Sequence, residues 1–142
     1  MSDETPLPRP LEIAHFHHVA IATKRLGKSL RFYRDVLGFA ELERPAFDFN
    51  GAWLEQGGFQ IHLIEHPRKA NEPTGEIDTK ANHFAMAVAD LDEAEARLIG
   101  HGVAYKRQIN AGGYHQIFVE DPDGNSVEVG IYVPGIPKGS QP

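Results

Sequence analysis

The 142 residues contain no cysteine, which removes disulfides, thiolate metal sites and sulfur nucleophiles together. No apolar run approaches the roughly 18 residues of a membrane-spanning helix, so none is expected. The start, Met1-Ser2-Asp3-Glu4-Thr5-Pro6, lacks the basic segment and apolar stretch of a secretory signal, and a cytoplasmic protein is the expectation. Basic clusters are missing as well. With a net charge of −6 and no Lys/Arg-rich stretch to track a phosphate backbone, nucleic acid is excluded as the expected partner. Against these absences, 41% hydrophobic and 24% charged residues exclude wholesale disorder and suit one compact domain with a real core.

What is present is a repeat. His18-Val19-Ala20-Ile21-Ala22 and His83-Phe84-Ala85-Met86-Ala87 align at an offset of 65 residues, with Leu26 on Leu91. Gly58-Phe59-Gln60-Ile61-His62-Leu63 aligns with Gly124-Asn125-Ser126-Val127-Glu128-Val129 at one residue more. Each half opens on a strand bearing a histidine and closes on a strand bearing another group able to ligate a metal.

The pattern between these strands predicts the remaining elements. A strand over 16–22 is followed by Leu26, Leu30, Tyr33 and Leu37 at helical spacing, with Gly38 as the stop. Strands over 39–42, 52–55 and 59–64 follow, separated by Pro45, Asn50-Gly51 and Gly57-Gly58. In the second half, Asp90 with Glu93 three residues later is a capping-box pattern for a helix carrying Leu91, Ala94, Leu98 and Ile99. Strands over 104–109, 115–120 and 126–132 come next, the last two joined by the turn Asp121-Pro122-Asp123-Gly124, read as structural rather than as a calcium loop. The fold class predicted is α+β: two tandem βαβββ modules whose curved sheets enclose a shared metal-binding cavity, helices outside. Residues 14–133 form the domain, with module one at 14–66, a polar linker at 67–80 and module two at 81–133. An arm (1–13) and a Pro/Gly-rich tail (134–142) flank it.

Side chains alternate across a strand, and this sorts the candidate ligands. Val19 and Ile21 share one face and His18, Ala20 and Ala22 the other; Phe84, Met86 and Val88 oppose His83, Ala85 and Ala87. Phe59, Ile61 and Leu63 oppose His62, and Val127, Val129 and Ile131 oppose Glu128. All four candidates, His18, His62, His83 and Glu128, therefore lie opposite the bulky packing face. Three imidazoles and a carboxylate without thiolate suit Fe, Ni, Zn, Mn or Co rather than an oxygen cage for Ca or Mg. His15 and His17 are expected to point away from this site. Trp53, Phe49, Gln116 and Phe118, with Phe47 and Tyr114, are candidate substrate walls.

These residues resemble the vicinal oxygen chelate superfamily of glyoxalases, bleomycin resistance proteins and dioxygenases. The resemblance runs over residues 14–133 through His18-Val-Ala-Ile-Ala, Phe32-Tyr33-Arg34-Asp35-Val36-Leu37-Gly38-Phe39, His83-Phe-Ala-Met-Ala-Val and Asp121-Pro-Asp-Gly-Asn-Ser-Val-Glu128. It implies metal ligation by His18, His62, His83 and Glu128, a small-molecule substrate and pairing as a homodimer. The chain is most similar to the glyoxalase I-like branch, including plant proteins with a comparable run over Phe47 to Leu54. Two positions depart from glyoxalase I: His62 stands where that enzyme has a carboxylate, and Ala22 where it has an arginine that holds glutathione. Ala20 replaces the threonine of fosfomycin-resistance proteins.

The leading expectation is a metal-dependent lyase or isomerase acting on a small carbonyl compound through a metal-stabilised enediolate, with Glu128 moving the proton and His62 on the metal; Ala22 leaves glutathione unsupported as co-substrate. Two alternatives stand beside it. One is an Fe(II) extradiol-type dioxygenase using His18, His83 and Glu128; the other is a non-catalytic binding or resistance protein.

Overall fold

The computed structural model describes residues 5–132. Module one contains β1 (His18–Thr23), α1 (Leu26–Arg31), a π-helical turn (Phe32–Val36), β2 (Ala40–Leu42), β3 (Gly51–Gln56) and β4 (Phe59–Glu65). Module two contains β5 (His83–Ala87), α2 (Leu91–Gly100), β6 (Tyr105–Ile109), β7 (His115–Glu120) and β8 (Ser126–Gly130). Each module folds into its own four-stranded mixed sheet, ordered β1-β4-β3-β2 and β5-β8-β7-β6. The two orders are equivalent, as the sequence repeat requires. The first and last strands of each module pair in parallel and the rest are antiparallel.

The two-faced strands direct the core. Ile21, Leu54, Ile61, Leu63, Ile117, Val119, Val127 and Val129 are buried together, with the helices supplying Phe32, Tyr33, Leu91 and Leu98. After α1 the chain widens into the π-helical turn: Leu37 N–H bonds the Phe32 carbonyl, five residues back, at 3.1 Å. That wider turn brings the consecutive residues Phe32 and Tyr33 into the core together. Gly38, at φ 80°, then stops the helix in a conformation glycine adopts without steric cost. In α2 the expected N-cap is present, with the Asp90 side chain accepting from Glu93 N–H at 3.1 Å.

Three expectations change. The sheets do not close on one another around a cavity within the chain; they stand as two separate four-stranded sheets. The first strand begins at His18, not at 16, because Phe16 is 94% exposed and has no partner strand. The last strand ends at Gly130. The tail expected over 134–142 and the first four residues of the arm lie outside the described residues.

The modules are joined by buried polar contacts. The Asp121-Pro122-Asp123-Gly124 turn of module two sits on the start of α1. The Asp123 carboxylate, fully buried, accepts from the Thr23 hydroxyl, from Ser29 Oγ at 3.1 Å, from Lys24 N–H at 3.2 Å and from Arg25 Nη1 at 3.2 Å. Asp121 accepts from Tyr33 Oη at 2.7 Å. So the turn read as structural does more than reverse the chain; its two carboxylates fasten one module to the other. Among the described residues, no helix is long and apolar enough to cross a membrane.

Candidate metal centre

In module one the parallel register sets Ala20 beside His62, and the antiparallel register sets Trp53 opposite His62. His62 is sandwiched as a result. Its ring stacks on His18 at 3.9 Å between centroids and 13°, and on the Trp53 indole at 4.4 Å and 11°. His62 Nε2 lies 2.8 Å from Gln60 Oε1. Burial, then the positive potential of His18, His17 and Arg44, push its pKa below the ordinary histidine value. A neutral imidazole follows, which is the ligating form.

His17 departs from its expected outward orientation. Strand alternation starts only at His18, so His17 is free to turn inward, and its Nδ1 lies 2.8 Å from His18 Nδ1.

In module two His83 and Glu128 meet. His83 Nδ1 donates to the Ala81 carbonyl at 2.7 Å, and Nε2 lies 3.3 Å from Glu128 Oε1. The Tyr132 hydroxyl donates to the other carboxylate oxygen, Oε2. Burial and the bond to Glu128 raise the Tyr132 phenol well above its ordinary pKa. Tyr132 crosses directly over Gly130, where an added Cβ would lie 2.7 Å from its oxygen. Phe118 meets the His83 ring edge-on at 5.3 Å, and Gln116 bonds Gln108 at 3.1 Å. The Ser126 hydroxyl, across the register from His83, is buried and has no partner among the described residues.

The quartet is thus placed as two pairs, His18 with His62 on the first sheet and His83 with Glu128 on the second. Among the described residues, no three His, Cys, Asp or Glu side chains gather as a group able to hold a metal. Of the expected walls, Trp53 and Phe118 touch the pairs, Gln116 lies on the Glu128 face, and Phe49 stacks on Phe47. Tyr132 was not among the sequence candidates. Its signal was parity alone, since 128, 130 and 132 share a strand face.

Comparison with known proteins resolves the fold's ancestry. A model of the Glyoxalase/Bleomycin resistance protein/Dioxygenase superfamily matches residues 15–129. The chain belongs to this superfamily. Glyoxylase I 4 of Arabidopsis thaliana is 34% identical over 126 residues, covering 84% of this chain and 72% of that protein. Catechol-2,3-dioxygenase of Bacillus subtilis is 32% identical over 123 residues, covering 83% of this chain but 41% of that protein. Among solved structures, a glyoxalase family protein from Bacillus anthracis superposes with a TM-score of 0.74 at 23% identity, over 88% of this chain and all of that one. The superfamily's breadth, from glyoxalases to dioxygenases, leaves the reaction to be argued from the site.

Proposed function

We propose that this superfamily member is a cytoplasmic divalent-metal-dependent lyase or isomerase of the glyoxalase I type, acting on a small carbonyl compound as a homodimer. One observation carries the reading. His83 Nε2 and Glu128 Oε1 face each other at 3.3 Å, while the far ring nitrogen, Nδ1, is tied to the Ala81 carbonyl. A shared cation stabilises such a pair, and a backbone carbonyl on the far nitrogen is the usual orienting partner of a ligating histidine. The equivalent positions of module one carry a second pair, and its His62 is kept neutral. Three imidazoles and one carboxylate fit Fe, Ni, Zn, Mn or Co. Because the pairs lie on two sheets that do not close within the chain, a second copy would complete each site, His18 and His62 from one subunit with His83 and Glu128 from the other.

A cation held there would draw electron density from adjacent substrate oxygens and acidify the neighbouring C–H. The chain's own part is proton transfer. Glu128, oriented by the Tyr132 hydroxyl, is the carboxylate that would take a proton from one substrate carbon and return it to the next. The alanine faces beside His18 and His83 leave room for a compact substrate.

The similarity to catechol-2,3-dioxygenase supports a second reading, in which His18, His83 and Glu128 hold iron and His62 stays in its stack. Metal content and turnover, measured on the wild type and on His62→Glu, separate the two. The lyase reading expects His62→Glu to hold metal and to keep or gain solvent-deuterium exchange into 2-oxoaldehyde adducts. Bound iron with O₂ uptake on a catechol, lost in His62→Glu, selects the second. Bound metal with no turnover of either compound leaves a binding protein, and protein that takes up no divalent metal overturns both.

A further inference from the structure

Arg44 follows β2 and lies over Gly51 of β3, on the sheet face that carries His18, His62 and Trp53. A Cβ at Gly51 would meet Arg44 Nη2 at 3.2 Å, Cζ at 3.3 Å and the Leu63 carbonyl oxygen at 2.3 Å, so glycine is what lets the guanidinium settle there. Its Cζ sits 4.8 Å from the Phe47 ring centre and 4.9 Å from that of Phe49. Nη2 donates to the Phe49 carbonyl at 2.9 Å. Beyond this the cation is unanswered. Among the described residues, Nε is buried with no hydrogen-bond partner and Arg44 forms no ion pair, whereas Arg25, Arg34, Arg97 and Arg107 each have a carboxylate. The guanidinium keeps its full charge with no counter-ion, and its outer nitrogens present a planar fork that a carboxylate matches.

We infer that Arg44 anchors the carboxylate of an aromatic substrate, with Trp53, Phe47 and Phe49 forming the wall against which its ring lies. The placement sets the shape of that ligand. Gly51 and Trp53 are two residues apart on β3, about 7 Å along a strand, and Trp53 lies directly on His62. A single ring spans that interval, with its carboxylate at Arg44 and its vicinal oxygens at the His18–His62 end. This substrate class rests on the second reading of the metal site for the ring oxygens but not for the carboxylate, which Arg44 would hold in metal-free protein too.

Trp53 is the chain's one tryptophan, so its fluorescence reports directly on this face. The test titrates the full-length protein anaerobically with benzoate without metal, and with 3,4-dihydroxybenzoate and catechol in the presence of Mn(II). Expected are Trp53 quenching by benzoate in metal-free protein and a preference of about tenfold for 3,4-dihydroxybenzoate over catechol, worth about 1.4 kcal/mol. Arg44→Gln should abolish both effects, and Arg44→Lys should keep part of them. Circular dichroism and the unfolding midpoint of each variant check that it is folded. Should Arg44→Gln misfold, Arg44→Lys must still lower the preference. Absence of benzoate quenching in the wild type, or an unchanged preference in a folded Arg44 variant, overturns the inference. If benzoate binds through Arg44 but Mn(II) adds nothing to the affinity of either catechol, the metal reading fails and the carboxylate site stands.

Discussion

A single phenol, Tyr33 Oη, supplies the side-chain donor that reaches Asp121 from the other module, at 2.7 Å and with Tyr33 fully buried. Replacing it by phenylalanine removes one charge-assisted hydrogen bond while Asn125 still donates at 2.8 Å. Tyr33→Phe should therefore cost about 1–3 kcal/mol in urea unfolding, with little change in volume. Asp121 gives a pH test of the same contact. Burial is the leading cause holding its pKa above the ordinary 3.8, against the opposing bonds from Asn125 and Tyr33. Between the ordinary and the raised value, the folded chain keeps a proton that the unfolded chain has released. This contribution is therefore fully present below the unfolded pKa and lost as pH rises through the folded one. Compared across that window, wild-type stability minus that of Asp121→Asn should fall with rising pH. A pH-independent difference would mean that burial leaves this carboxyl untouched. Neither effect could be read from the sequence, where Asp121 is visible only as a turn residue.

At the scale of elements, the caps and stops were legible because they depend on residues a few positions apart. Asp90 caps α2 as expected, and Asp90→Ala should lower stability by about 1 kcal/mol in thermal unfolding. Its capping-box partner behaves differently. Glu93 turns its carboxylate to Arg97, 2.9 Å away, leaving the box half made. Glu93→Ala should cost only the ~0.2–0.5 kcal/mol of an exposed i,i+4 pair, well under the loss at Asp90. Equal losses would show the reciprocal bond to be present in solution. The π-helical turn was not legible. Helical periodicity counts spacing, and one widened turn changes the spacing too little to be seen against the apolar stripe of α1.

Across the whole molecule, the question is which sheets share a site. If each site takes one pair from either subunit, a chain with both His18→Ala and His62→Ala should complement one carrying Glu128→Ala. A dimer of the two kinds would hold one intact site out of two. Random mixing makes half the dimers mixed, so metal uptake should recover to about a quarter of wild type, while each variant alone binds little. No recovery on mixing means that sites form within one chain. Metal should also stabilise the fold by mass action, by about 4 kcal/mol at a thousandfold excess over its dissociation constant. A chelator that strips the metal should then lower the unfolding midpoint, and adding the metal back should restore it.

The repeat at offsets of 65 and 66 residues determined the two βαβββ modules, and parity along each strand determined which side of the sheet His18, His62, His83 and Glu128 occupy. Both are local properties, since a strand's alternation and a helix's period follow from covalent geometry and from burying one face. Tertiary structure decided the rest. Tertiary packing stacked His62 between His18 and Trp53 and seated Arg44 over Gly51, although these partners lie in different strands or loops. The buried carboxylates of Asp121 and Asp123 tie the modules together, and the two sheets stand separate. The quartet could therefore be named from sequence but not assembled. Convergence of side chains depends on how sheets pack, and that packing is set by desolvated contacts between residues as far apart as Thr23 and Asp123.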